Sequence, residues 1–304
     1  MQSLCLDVGA ACIKYGRMDG QGNLLEHGEI PARAREGAEK LFARLSTLIS
    51  RQTEGTSCIS LCTKGHIDPL TGSVVLATND IPGWTGFPLA QRLQERFDLP
   101  VYVLNDTVAL ALGEAHFGCM QEGHDFLCVN YGSGVGGVCV RNGQVQEPCL
   151  LRSPDMGHII LHPEGRRCSC GRQGCYEAYA SAHALTRLAA SHLRRRTITG
   201  REFFGMLAEG NSVAQTCLDL WAHEVSLGLA NLIYVTAPEY VVLGGGIMQQ
   251  PMVVDRVRAG LKRLLPSLLL PVQVRAAALG NLAGLYGCYV FANQKMQIQQ
   301  KFPG

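Results

Sequence analysis

The chain has 304 residues, 47% of them hydrophobic and 17% charged, with a formal net charge of +2. This length and balance suit a folded chain of two α/β lobes, and the near-neutral charge leaves no basic footprint for nucleic acid. Asp7 interrupts the first apolar run and no uncharged apolar stretch is long enough for a bilayer, so neither a signal peptide nor a membrane partner is expected.

In chain order, Leu4–Leu6 reads as a strand, Asp7-Val8-Gly9-Ala10-Ala11 as a small-residue turn and Cys12–Gly16 as the returning strand of a hairpin. Leu41, Leu45, Leu48 and Ile49 recur at helical spacing and predict a helix over 37–52. Cys58–Cys62 has the continuous apolar character of a strand buried on both faces. Leu89, Leu93 and Phe97 give a helix ended by Pro100. Val101–Leu104 is the next buried strand and delivers Asn105 and Asp106 at its carboxyl end, where Thr107–Ala115 leaves as a helix. The pattern then restarts. Phe126–Val129 is a strand, Asn130–Gly137 a glycine turn and Val138–Val140 the return, a weak internal repeat of the opening hairpin. Helices are expected over Ala178–Leu193, Trp221–Val235, Val257–Leu265 and Leu282–Ala292, with strands at Tyr240–Leu243 and Val272–Val274. Alternating strands and helices in two halves argue for an α/β protein with mostly parallel central sheets.

Two kinds of motif carry chemistry. His158, Cys168, Cys170 and Cys175 supply one imidazole and three thiolates, the donor set of a structural Cys₃His zinc site, with Gly171 and Gly174 providing tight turns. The competing reading is three buried thiols and an unrelated histidine. The other cysteines, such as Cys58, Cys62, Cys128 and Cys139, lie in apolar runs and read as reduced thiols, which suits a cytoplasmic location. Three glycine turns follow apolar strands: Gly9 with Ala10 and Ala11; Gly132, Ser133, Gly134 and Gly136 within 132–137; and Gly244, Gly245 and Gly246. Such turns let backbone amides approach a phosphate. None matches the P-loop pattern, and the interval at 132–137 is wrong for a dinucleotide fingerprint.

The stretch Gly157–Glu177, G-H-x₉-C-x-C-G-x₂-G-C-x-E, resembles the zinc motif of the ROK family of repressors, open reading frames and sugar kinases. The resemblance runs from Asp7 to the Ala283-Gly284 region. It implies a two-lobed actin-like (ribonuclease H-like) ATPase fold with ligands between the lobes. The lobes would be 1–116, completed by a C-terminal helix at about 288–304, and 117–287. It implies an ATP-dependent kinase acting on the 6-hydroxyl of a hexose, with catalytic Mg2+, structural Zn2+ and, as is common in the family, a homodimer.

By the same resemblance, Asp106 of the Asn105-Asp106 pair would be the base and Asn79, Asn105, Asp155, His158 and Glu177 would orient the sugar. Asp7 would stand near the magnesium, with Lys14 and the glycine turns on the phosphates. Blander roles exist: Asp106 as a helix cap, Asn79 as a turn residue, Lys14 as a solvated lysine.

Four positions depart from the family. Ala10-Ala11 replaces Gly-Thr, and loss of a hydrogen bond to a charged group costs about 1.5–3 kcal/mol. Lys64 stands for proline, and Asp155 for glutamate. Glucose, N-acetylmannosamine, allose and a β-glucoside all remain open as substrates. Ile13–Gly16, Asn231–Tyr234 and Ala283–Gly287 look closest to the β-glucoside kinases. The first strand begins at Leu4 and leaves no room for the helix-turn-helix of the family's repressors; a catalytically weak sugar sensor is the alternative that Ala10-Ala11 suggests.

Overall fold

The computed structural model describes residues 2–146, 155–267 and 271–301. They form two compact units, one of the described residues up to Gln121 and from Leu282 onward, the other of those from Glu122 to Asn281.

The first unit opens with a meander, β1 (Gln2–Val8), β2 (Cys12–Met18) and β3 (Leu24–Pro31), each antiparallel to the last. The amide of Gly9 donates to the carbonyl of Cys12 at 3.0 Å, closing the first turn. α1 (Ala38–Ser50) buries Leu41, Leu45, Leu48 and Ile49, the stripe its sequence spacing predicts. β4 (Thr56–Thr63) pairs parallel with β1, and its central residues are buried, as a strand covered on both faces requires. A short ribbon follows, β5 (His66–Ile67) and β6 (Val74–Leu76), then α2 (Leu89–Phe97), β7 (Val101–Asn105) parallel to β4, and α3 (Asp106–His116).

The second unit repeats the plan with β8 (Phe126–Tyr131), β9 (Val135–Arg141) and β10 (Gln144–Val145) as the antiparallel meander. Helices α4 (Glu177–Ala180), α5 (Ala182–His192), α6 (Gly200–Ala208) and α7 (Ser212–Thr236) precede β11 (Tyr240–Gly244). After α8 (Pro251–Leu264) comes β12 (Gln273–Ala276), and α9 (Ala283–Lys301) returns to the first unit.

The two sheets have the same topology: β3-β2-β1-β4-β7 and β10-β9-β8-β11-β12. The first strand of each pairs antiparallel with the second strand of its meander on one side and parallel with a later strand on the other, which in turn pairs parallel with the last strand. The sheets are therefore mixed, not mostly parallel as the sequence suggested: the hairpin returns make two of the four strand pairings in each sheet antiparallel. The repeat that was faint as sequence is complete as topology.

Four boundaries also move. The expected helix over Ala178–Leu193 breaks at Ser181, which leaves helical geometry (ψ 158°) and caps α5 through Ala184 N–H. α7 and α8 start earlier than expected, at an Asn211 cap and at Pro251. The second glycine turn is short: β8 extends through Tyr131 and β9 starts at Val135, so Gly136 lies opposite Asn130 within the sheet.

Among the described residues no helix is long and apolar enough to cross a membrane.

Candidate functional site

In the first unit, β1, β4 and β7 run side by side and end together, bringing Asp7, Cys62 and Asn105-Asp106 to the carboxyl edge of the parallel strands. Ligands in open α/β sheets sit at such an edge. Asn105, not Asp106, caps α3: its side-chain oxygen accepts from the amides of Thr107 (2.8 Å) and Val108 (3.2 Å), while its amide donates to the carbonyl of Gly65 at 2.9 Å. The cap role is thus filled by the neighbour. Asp106 is the first helical residue and accepts from Thr107 N–H at 2.9 Å. Burial, and then the charge of Asp7, raise the Asp106 carboxyl to about 6, against the opposing pull of Lys64 and the Thr107 amide.

Asp7 pairs with Lys14, Nζ to Oδ2 at 3.3 Å, and its other oxygen lies 3.7 Å from the Cys62 thiol. Gly284, at the start of α9, lies directly behind it, where a Cβ would stand 3.1 Å from the Asp7 carboxyl carbon. Ala10 packs against the apolar core, whereas Ala11 is exposed.

Lys64 pairs with Asp80, the neighbour of Asn79. Asn79 itself is exposed in the turn ahead of Trp84, whose buried indole stacks on Phe87 and donates to Thr63 Oγ1 at 3.3 Å. That anchor fixes the turn that carries Asn79.

In the second unit, His158 ends a 3₁₀ turn, Met156–His158, whose closing bond runs from its amide to the Asp155 carbonyl at 2.8 Å. Asp155 is exposed. Cys168, Cys170 and Cys175 follow on a loop held by Arg167–Gln173 and Ile160–Cys175 bridges, with Gly171 and Gly174 at positive φ of 88° and 76°. All four donor atoms lie within 4.8 Å of one another, His158 Nδ1 to Cys168 Sγ at 3.6 Å and Cys170 Sγ to Cys175 Sγ at 3.6 Å. Tetrahedral ligands with bonds near 2.3 Å stand about 3.8 Å apart, so the cluster is of the right size to close on one ion. The described cysteines are free thiols.

Glu177 begins α4 just beyond the cluster. Its Oε2 accepts from Val135 N–H at 3.0 Å and its Oε1 from Ser169 Oγ at 2.9 Å. The turn Gly132-Ser133-Gly134 closes with Gly132 N–H on the Gly134 carbonyl at 3.0 Å. A Cβ on Gly134 would fall 2.3 Å from the Glu177 carboxylate. Gly244 ends β11, Gly245 has φ 97° against Tyr131, and Gly246 opens a 3₁₀ turn.

The sequence reading missed four participants: Cys62, Gly284, Val135 and Ser169. Only Gly284 carried a signal, as a glycine near a helix start.

The sequence model of the ROK family matches residues 3–295. A glucokinase of Halalkalibacterium halodurans is 29% identical over 308 residues, covering 93% of this chain and 92% of that protein. An N-acetylmannosamine kinase of Citrobacter koseri is 27% identical over 294 residues, covering 96% and 99%. Among solved structures, a ROK family glucokinase from Streptomyces griseus in complex with glucose and AMPPNP is similar with a TM-score of 0.88 at 28% identity, covering 97% of this chain and 100% of that one. These matches span both units, and the chain belongs to the ROK family.

Proposed function

We propose that the protein is an ATP-dependent sugar kinase that transfers the γ-phosphoryl of Mg-ATP to the 6-hydroxyl of a hexose. The observation that carries this reading is the buried carboxyl of Asp106, raised to about 6 at the end of a central strand and freed from capping duty by Asn105. A carboxylate with that affinity for a proton can accept one from a sugar hydroxyl near neutral pH as the oxygen attacks phosphorus. The likeness to the Streptomyces griseus enzyme with glucose and AMPPNP supports the same substrates here, and the duplicated mixed sheets fit an actin-like ATPase fold.

The roles divide between the units. In the first, Asp106 is the base. Asp7 is the carboxylate offered to magnesium, which when bound neutralises charge on the phosphates. Lys14 brings positive charge to a turn that has lost its threonine hydroxyl. Asn105 has both ends of its side chain engaged, so it positions Asp106 and Gly65 and has one remaining N–H for the sugar. Asn79 would contact the sugar from its exposed turn. In the second unit, His158, Asp155 and Glu177 orient the sugar, and Gly132–Gly134 with Gly244–Gly246 hold phosphate. Gly136, inside β9, is not among them. His158, Cys168, Cys170 and Cys175 would hold a single structural zinc with all four positions filled.

The two relatives, named for different sugars at nearly the same identity, leave the hexose undetermined. ADP release measured across glucose, N-acetylmannosamine, allose and a β-glucoside tests the reading; one productive sugar is expected, and sugar binding without ADP from any of them would refute it. That second outcome defines the alternative, a sugar sensor of weak activity, which the methyl groups of Ala10 and Ala11 favour.

A further inference from the structure

The nucleotide turn and the metal cluster of the second unit share their supports. Two consecutive residues follow the ligand Cys175, namely Tyr176 and Glu177. Two residues flank the turn, Tyr131 before it and Val135 after it. Each of the first pair holds one of the second. The Tyr131 hydroxyl lies 2.7 Å from that of Tyr176, which in turn donates to the Val225 carbonyl at 2.7 Å, so Tyr131 is the donor to Tyr176. Both rings are fully buried. Val135 N–H donates to Glu177 Oε2 at 3.0 Å. The turn is held a third time by Ala182, whose amide donates to the Gly132 carbonyl at 2.9 Å.

Glu177 reaches the cluster with its other oxygen. Oε1 accepts from Ser169, which sits between the ligands Cys168 and Cys170, and lies 3.8 Å from the Cys168 sulfur. The carboxylate is a strut with one end on the metal loop and the other on the phosphate turn. Gly134 packs against it with no room for a side chain, so a shift of the strut must be felt by the turn.

We propose that metal binding at His158, Cys168, Cys170 and Cys175 and nucleotide binding at Gly132–Gly134 are energetically linked, with Glu177 and Ser169 as the positioning residues that couple them. Without the ion nothing draws the four donors together, so Ser169 is freer to leave Oε1 and the amide of Val135 loses a fixed acceptor. The linkage is reciprocal: nucleotide must strengthen metal binding by the factor by which metal strengthens nucleotide binding. This rests on the reading of Gly132–Gly134 as a phosphate turn.

The test compares zinc-loaded and chelator-stripped full-length protein in two measurements, AMPPNP affinity by calorimetry and amide hydrogen exchange over residues 131–135. Zinc-loaded protein is expected to bind AMPPNP about tenfold more tightly and to exchange more slowly at 131–135, with β1 and α3 of the other unit unchanged. Ser169→Ala, which keeps all four ligands, should retain one zinc per chain yet exchange faster at 131–135 and lose most of the tenfold difference. Equal affinity and equal exchange in the presence and absence of zinc overturn the proposal. If stripping unfolds the chain, the zinc-loaded Ser169→Ala protein decides: exchange at 131–135 equal to wild type overturns it. If no form binds AMPPNP, the phosphate reading of the turn fails, while exchange still reports whether the strut connects the cluster to it.

Discussion

Asp106 holds a proton more tightly than a free carboxyl because it is buried beside Asp7, and that sets two opposed expectations at one residue. As the proposed base it must be ionised for turnover, so kcat should fall about tenfold per pH unit below about 6. For stability, a carboxyl raised from 3.8 to about 6 prefers to fold neutral. The cost of ionising it is absent below pH about 4, grows toward pH 6 and is complete above, where it amounts to about 3 kcal/mol. Asp106→Asn is therefore expected to abolish phosphotransfer and to melt higher than the wild type at pH 8, with the difference gone near pH 4, by calorimetric melts across pH. At the first turn, Ala10→Gly with Ala11→Thr should raise kcat/KM by about 10–100-fold, the worth of one hydrogen bond to a charged phosphate. Ala11 is exposed and has space for the hydroxyl. The place of Asp106 at the carboxyl end of β7 was legible in the sequence, because an apolar run followed by a helix marks such an end. The freedom of Asp106 from capping was not, since Asn105 and Asp106 are equally good caps by type and only the backbone geometry chooses.

Helices α3 and α9 approach as closely as backbone allows, and that contact positions the edge on which Asp7 and Asp106 stand. A Cβ on Gly287 would lie 1.8 Å from the Ala109 carbonyl oxygen, and one on Gly113 would lie 2.5 Å from that of Ala283. Gly287→Ala is expected to cost at least about 2 kcal/mol by forcing the helices apart, read as a lowered Tm. Gly200→Ala, where nothing stands within 4 Å, is the neutral control. α6 is closed by a capping box in which Thr199 and Glu202 exchange bonds, so Thr199→Ala should cost about 1 kcal/mol in a denaturant melt. The buried strands and α1 were readable because continuous apolar runs and a 3.6-residue stripe are strong signals. β3 was not: it is an edge strand with exposed Leu25, Glu26, His27 and Glu29, so it carries no apolar run. α6 buries only Phe203 and Leu207, too short a stripe to register.

The two units carry one topology twice, and the chemistry assigned to the protein needs something from each. The proposed base, Asp106, belongs to the first, and the candidate metal ligands with Glu177 belong to the second. Direct metal analysis should find one zinc per chain, and replacement of Cys168 or Cys175 by serine should lose it and lower the Tm. By spacing alone His158, Cys168, Cys170 and Cys175 were a moderate signal, which the resemblance to the ROK zinc motif strengthened; the structure brings their four donor atoms within 4.8 Å of one another. The mechanical link of this cluster to the glycine turn could not be read from the sequence, since Val135 contributes a backbone amide and Tyr131 and Tyr176 look like ordinary core aromatics there.

The most direct measurement is phosphorus NMR of the products formed from Mg-ATP and a panel of hexoses by wild type and by Asp106→Asn. The wild type is expected to yield ADP and a sugar 6-phosphate from at least one hexose, and the variant neither. A variant that phosphorylates sugar at the wild-type rate, or a wild type that binds hexose yet leaves ATP intact, would contradict the assignment.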